Sequence, residues 1–82
     1  MEPQLGPVEQ RVLGSLIEKA MTTPEYYPLT LNALRNACNQ KSNRSPVMDL
    51  DDDDVFLAIS SLRRKGLVES VYAEGSRVER FR

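Results

Sequence analysis

Apolar residues recur at helical spacing in three stretches of the chain, and two short alternating stretches follow them. Val8, Val12, Leu13, Leu16, Ile17 and Ala20 share one side of a 3.6-residue helix, which predicts a first helix from Pro7 to Ala20. Arg11, Ser15, Glu18 and Lys19 take its wet side. Pro7 suits the first helical position, where a missing N–H costs nothing, and Glu9 meets the positive end of the helix dipole. Thr22-Thr23-Pro24 ends the pattern, because the residue before proline is pushed out of the α region. Glu25 to Leu29 reads as a short extended linker. Leu31, Leu34, Ala37 and Cys38 form the stripe of a second helix, from Leu31 to Gln40, with Thr30 as its N-cap. Lys41 to Pro46 is a polar turn; Asn39 and Asn43 tolerate turn geometry, and Pro46 forbids continuing the helix. A third helix starts from Asp51 as N-cap, with Asp54 in the acidic place of a capping box. Val55, Ala58, Ile59 and Leu62 are its buried stripe, and Asp53, Leu57, Ser60, Ser61 and Arg64 face outward. Gly66 stops it, after Arg63, Arg64 and Lys65 in the last turn.

Leu67 to Tyr72 then alternates apolar and polar residues, Ala73-Glu74-Gly75-Ser76 is a turn, and Arg77 to Arg82 alternates again with Val78 and Phe81 inward. Two such runs around a glycine-containing turn predict a β-hairpin. A lone hairpin is marginal in water, so it must pack on the helices. Helix, extended piece, helix, turn, helix, hairpin is the order of a winged helix-turn-helix. The expected fold is therefore α+β: one winged helix domain over residues 1–82, three helices plus a C-terminal β-hairpin wing. The third helix takes the recognition position and Ala73 to Arg77 the wing.

Composition narrows the class. A chain of 82 residues with 40% hydrophobic and 28% charged residues has one small core and is neither disordered nor a disulfide scaffold. Its apolar runs are too short to span a membrane, and its first residues carry no signal peptide. A single cysteine, Cys38, cannot form an internal disulfide, which fits a reducing compartment, and the cytoplasm is the expected location. The formal net charge of −1 hides an uneven distribution. Five of the 12 acids are Asp49 and Asp51 to Asp54, so outside that stretch 11 basic residues face 12 − 5 = 7 acidic ones. The chain is a mildly basic body with one acidic knot.

That inventory leaves little for catalysis. There is no histidine, so Ser-His, Cys-His and His-metal arrangements are missing. Cys38 lies on an apolar stripe and reads as a small core residue. No Gly-rich phosphate loop is present, and no enzyme activity or cofactor is expected. Asp49, Asp51 and Asp53 match the first three ligand positions of an EF-hand loop, but Asp54 stands where glycine is needed and Ser60 where glutamate is needed. The acids read instead as an over-capped helix start, with weak Mg²⁺ or Ca²⁺ binding as the alternative. Binding of double-stranded DNA is the functional reading of the fold. Its candidate contacts are Gln40, Lys41, Asn43 and Arg44 in the turn, Ser60 and Arg64 on the third helix, and Arg77 at the wing. Asp52 and Asp53 would face phosphates unfavourably. The other reading is a protein-interaction or dimerisation module, using Leu57, the adjoining acids and Tyr26-Tyr27.

Several stretches resemble the bacterial YceH-like family. They are Pro7-Val8-Glu9, Arg11-Val12-Leu13-Gly14, Leu16-Ile17-Glu18-Lys19, Thr22-Thr23-Pro24, Tyr27-Pro28-Leu29, Leu31-Asn32-Ala33-Leu34, and above all Asn36-Ala37-Cys38-Asn39-Gln40-Lys41-Ser42-Asn43-Arg44 with Pro46-Val47-Met48. The resemblance implies two winged helix domains in tandem, this chain being similar to the first, and it implies no enzyme activity, cofactor or established ligand. A second winged helix domain or a homodimer partner is thus a further expected partner. The chain departs from the family pattern at Gly6, where a serine cap is usual, and in the Asp-rich start of the third helix.

Overall fold

Local chemistry sets the ends of the helices. In the computed structural model, which describes residues 4–41 and 46–82, Pro7 opens α1 (Pro7–Thr22) and the Glu9 carboxylate accepts the Gly6 N–H at 3.2 Å. The helix runs two residues beyond the expected end and stops at Thr23, just before Pro24. A single 3-10 turn, Pro24–Tyr26, occupies what the sequence suggests as extended linker, and β1 (Leu29–Thr30) follows. Thr30 caps α2 (Leu31–Cys38), its hydroxyl accepting the Ala33 N–H at 3.2 Å. α3 (Asp52–Arg64) starts from a reciprocal capping box. Asp51 accepts the Asp54 N–H at 2.8 Å and Asp54 accepts the Asp51 N–H at 3.1 Å. At the other end Gly66 has φ +75°, and the Leu67 and Gly66 N–H groups bond to the Leu62 and Arg63 carbonyls, which satisfies the last turn.

β2 (Ser70–Val71) and β3 (Arg80–Phe81) form the expected hairpin, and β1 adds to it, giving an antiparallel sheet in the order β1-β3-β2. Leu29 and Ser70 both pair with Phe81, and Thr30 and Val71 both pair with Arg80. Three helices and this sheet make an α+β fold compatible with a winged helix.

The core takes Val12 and Leu16 from α1, Leu34 and Cys38 from α2, and Val55, Ala58, Ile59 and Leu62 from α3. Leu29, Val68 and Phe81 close it from the sheet side. Burying each large side chain contributes roughly 1.5–3 kcal/mol. Three expected positions are corrected. Ser15 is buried and Ile17 exposed, the reverse of the expected arrangement, because α1 packs on both α2 and α3 and buries the arc through residues 12, 15 and 16. The Ser15 hydroxyl finds no hydrogen-bond partner. Val78 is exposed while Phe81 is buried; three residues apart on an extended chain, they point to opposite faces.

Gly14 lies in mid-α1 on the exposed side, and a Cβ built there meets nothing within 4 Å. Gly14→Ala is therefore expected to raise stability by about 1 kcal/mol, the helix-propensity difference, seen as a higher denaturation midpoint in urea. A loss of stability would show that the exposed face of α1 is occupied.

Candidate nucleic-acid interface

The segments that matter are the connection between α2 and α3, the outer side of α3 and the hairpin tip. The connection is pinned at both ends. The Asn39 side-chain amide donates to the Leu50 carbonyl and its oxygen accepts the Leu50 N–H, both at 2.8 Å. Asn39 itself sits at φ −91°, ψ 2°, so its side chain rather than a left-handed backbone shapes the turn. Arg11 reaches from α1 to the Cys38 carbonyl at 2.9 Å and also to the Pro46 carbonyl. It thereby places a cation on the C-terminal end of α2, where the helix dipole favours one.

The candidate residues hold three separate segments. Gln40 is half-buried and Lys41 exposed on the connection. Asn43 and Arg44 lie outside the described residues. Ser60 and Arg64 stand one turn apart on α3, half-buried and exposed respectively, and Arg77 is exposed on the hairpin. The structure puts Ser60 and Arg64 on one helix side, while Lys41 and Arg77 come from segments flanking it in sequence.

Ion pairing separates these cations from the rest. Arg35 is bound to Asp52 at 3.1 Å, Lys65 to Glu9 at 2.7 Å, Arg63 to Glu79 at 3.5 Å, Lys19 to Glu18 at 3.7 Å, and Arg82 to Glu69. Arg11 and Arg80 bond to backbone carbonyls. Among the described residues Lys41, Arg64 and Arg77 are the cations held by neither a carboxylate nor a carbonyl.

The acidic knot is largely absorbed by structure. Asp51 and Asp54 cap α3, and Asp52 pairs with Arg35, which also bonds Asn32. Among the described residues no group of three His, Cys, Asp or Glu side chains is gathered as a metal site. No helix of the described residues is long and apolar enough to cross a membrane.

Residues 5–82 match the family described as "Protein of unknown function, DUF480". The chain belongs to that family. It is 60% identical over 82 residues to a UPF0502 protein of Geotalea daltonii, covering all of this chain and 37% of that one. A UPF0502 protein of Koribacter versatilis is 62% identical over 71 residues, covering 87% of this chain and 33% of that one. One from Aeromonas salmonicida is 53% identical over 81 residues, covering 99% of this chain and 37% of that one. The chain thus spans about a third of the length of the curated relatives it matches. The family agrees with the resemblance drawn from the Asn36-to-Arg44 stretch.

One cluster in this DUF480 domain escapes sequence reasoning. Ser61, expected to face outward, donates to Glu9 at 2.9 Å. The same carboxylate takes the Lys65 ammonium at 2.7 Å, so the start of α1 is clipped to the end of α3. The available signal is that Ser61 and Lys65 lie one turn apart and flank the buried Leu62. Hydrogen bonds from Lys65, the Gly6 N–H and Ser61 together lower the Glu9 pKa from 4.5 to about 2. Since the folded-state value lies below the unfolded one, the clip is fully present above pH 4.5 and is lost as the pH falls toward 2. Glu9→Gln is expected to flatten the fall in melting temperature across that window. An unchanged acid limb would sink this assignment.

Proposed function

We propose that this domain is a winged helix module that binds double-stranded DNA through phosphate contacts, as part of transcriptional regulation and without catalysis. The supporting observation is the set of cations left over by the fold. Lys41, Arg64 and Arg77 lie on the connection before α3, on α3, and on the wing, the parts that a winged helix presents to a duplex. Phosphate contacts fix position without reading bases, and the acidic start of α3 suits holding from those flanks better than insertion of its first turn. Gln40 and Ser60 supply neutral donors on the same segments, and the sequence adds Asn43 and Arg44 between Lys41 and Pro46 as further candidates. The proposed location is the cytoplasm. The relatives' greater length leaves room for a second domain of similar size, and the tandem arrangement belongs to this proposal.

Anisotropy of a labelled random duplex tests it. Binding that weakens steeply between low and moderate salt supports phosphate contact; no binding at low salt overturns it. A second reading, a docking or dimerisation module, draws on Ile17 and Met21, 55% and 78% exposed one turn apart on α1. It predicts concentration-dependent association by light scattering, with or without DNA.

A further inference from the structure

All three tyrosines of the chain, Tyr26, Tyr27 and Tyr72, line one open groove of about 760 Å³ beside the sheet, together with Arg80, Arg82 and Glu25. No residue of α3 contributes to it. Tyr26 and Tyr72 are 70% and 57% exposed, so two aromatic faces stand in water at the groove. Tyr27 is half-buried, and burial raises its pKa, which keeps its hydroxyl a neutral donor. Arg80 alternates with the buried Phe81 on β3, so it points away from the core. Its hydrogen bond to the Pro28 carbonyl is long, 3.4 Å, and no carboxylate pairs with it among the described residues. Arg82, in contrast, is held by Glu69.

From this we infer that the groove binds a small molecule in which a planar aromatic ring carries one anionic group, about the size of a nucleoside monophosphate. Stacked or edge-on aromatic contact on Tyr26 and Tyr72 matches a planar ring. The Arg80 guanidinium presents a fork of N–H donors suited to a phosphate or carboxylate. Glu25 repels a second negative charge at the rim and accepts from a hydroxyl or amino group there. The volume falls in the ordinary range of small-molecule sites, roughly 300–1,000 Å³. This inference is independent of the DNA reading, because none of Lys41, Arg64 and Arg77 lines the groove.

The test is titration of the ¹⁵N-labelled protein by NMR with AMP and, separately, with indole-3-acetate, which distinguish a phosphate-bearing from a carboxylate-bearing ligand. Adenosine and inorganic phosphate serve as half-ligands. The expected result is saturable shifts at Tyr26, Tyr27, Tyr72 and Arg80 with at least one of the two aromatic anions. Adenosine and phosphate should bind at least about tenfold more weakly, and Arg80→Gln should weaken binding by about tenfold, the worth of a charge-assisted hydrogen bond. Should Arg80→Gln disturb folding, Tyr26→Ala combined with Tyr72→Ala removes two exposed rings and should give a comparable loss. Absence of saturable shifts up to about 10 mM for both aromatic anions overturns the inference. So does adenosine binding as tightly as AMP where AMP is the ligand, or folded variants that bind like the parent.

Discussion

Phe81→Ala is expected to lower the unfolding free energy by about 3–5 kcal/mol, the usual cost of emptying a buried aromatic site. Phe81 is 1% exposed and sits where the three strands meet, opposite Leu29 on β1 and Ser70 on β2. Its ring is the sheet's main contribution to the core, beside Leu29 and Val68. Small domains have about 5–15 kcal/mol in total, and a chain this short belongs near the lower end. The variant should therefore be largely unfolded at 37 °C and show a strongly lowered urea midpoint. A loss under about 1 kcal/mol would mean that the sheet is peripheral to a self-sufficient three-helix core.

The second large effect concerns binding. Replacing Lys41, Arg64 and Arg77 together by glutamate changes the formal charge from −1 to −1 − 6 = −7. If each of the three neutralises one phosphate, the slope of log affinity against log salt should fall by about 2.7, since each contact contributes about 0.9. At 0.1 M salt that corresponds to a loss of roughly 500-fold, before any repulsion from the new carboxylates. The fold should survive, because the three side chains are exposed and hold no partner among the described residues. The cost expected is at Arg64, where a negative charge near the C-terminus of α3 opposes the dipole by about 0.3–1 kcal/mol. A triple glutamine variant separates the two effects: it removes the contacts without adding repulsion. Retained affinity and slope in a folded triple variant would refute the phosphate-holding role.

How far such features can be read from residues alone depends on the range of the interaction. Thr30, Asp51 with Asp54, and Gly66 act on backbone groups within a few positions of themselves, and each stands where the sequence predicts. The element order follows from them. The failures are tertiary. Ser15 and Ile17 bound opposite edges of an apolar arc, and which edge is covered depends on how α2 and α3 dock. Ser61 faces Glu9 across 52 positions of chain, which no local pattern encodes. The candidate cations are legible as charges, but their lack of partners becomes visible only once Arg35, Arg63 and Lys65 are seen to be occupied. The convergence of Tyr26 and Tyr72 is beyond sequence reasoning for the same reason: 46 positions separate them, Tyr26 ends the 3-10 turn before β1 and Tyr72 follows β2, and β3 lies between those two strands in the sheet.

The Asn39–Leu50 clasp carries a consequence for how such domains diversify. It joins the two ends of a ten-residue stretch, 40–49, through one side chain and one backbone unit, with Arg11 holding the Pro46 carbonyl as a further tie. Loop-closure entropy rises only with the logarithm of length, so inserting or exchanging residues inside the clasp costs little. Side-chain chemistry on the surface of that stretch is thereby loosely coupled to folding, and it can change while the two helices stay in register. Loss of Asn39, by contrast, should make every later change in the stretch a change in the fold as well.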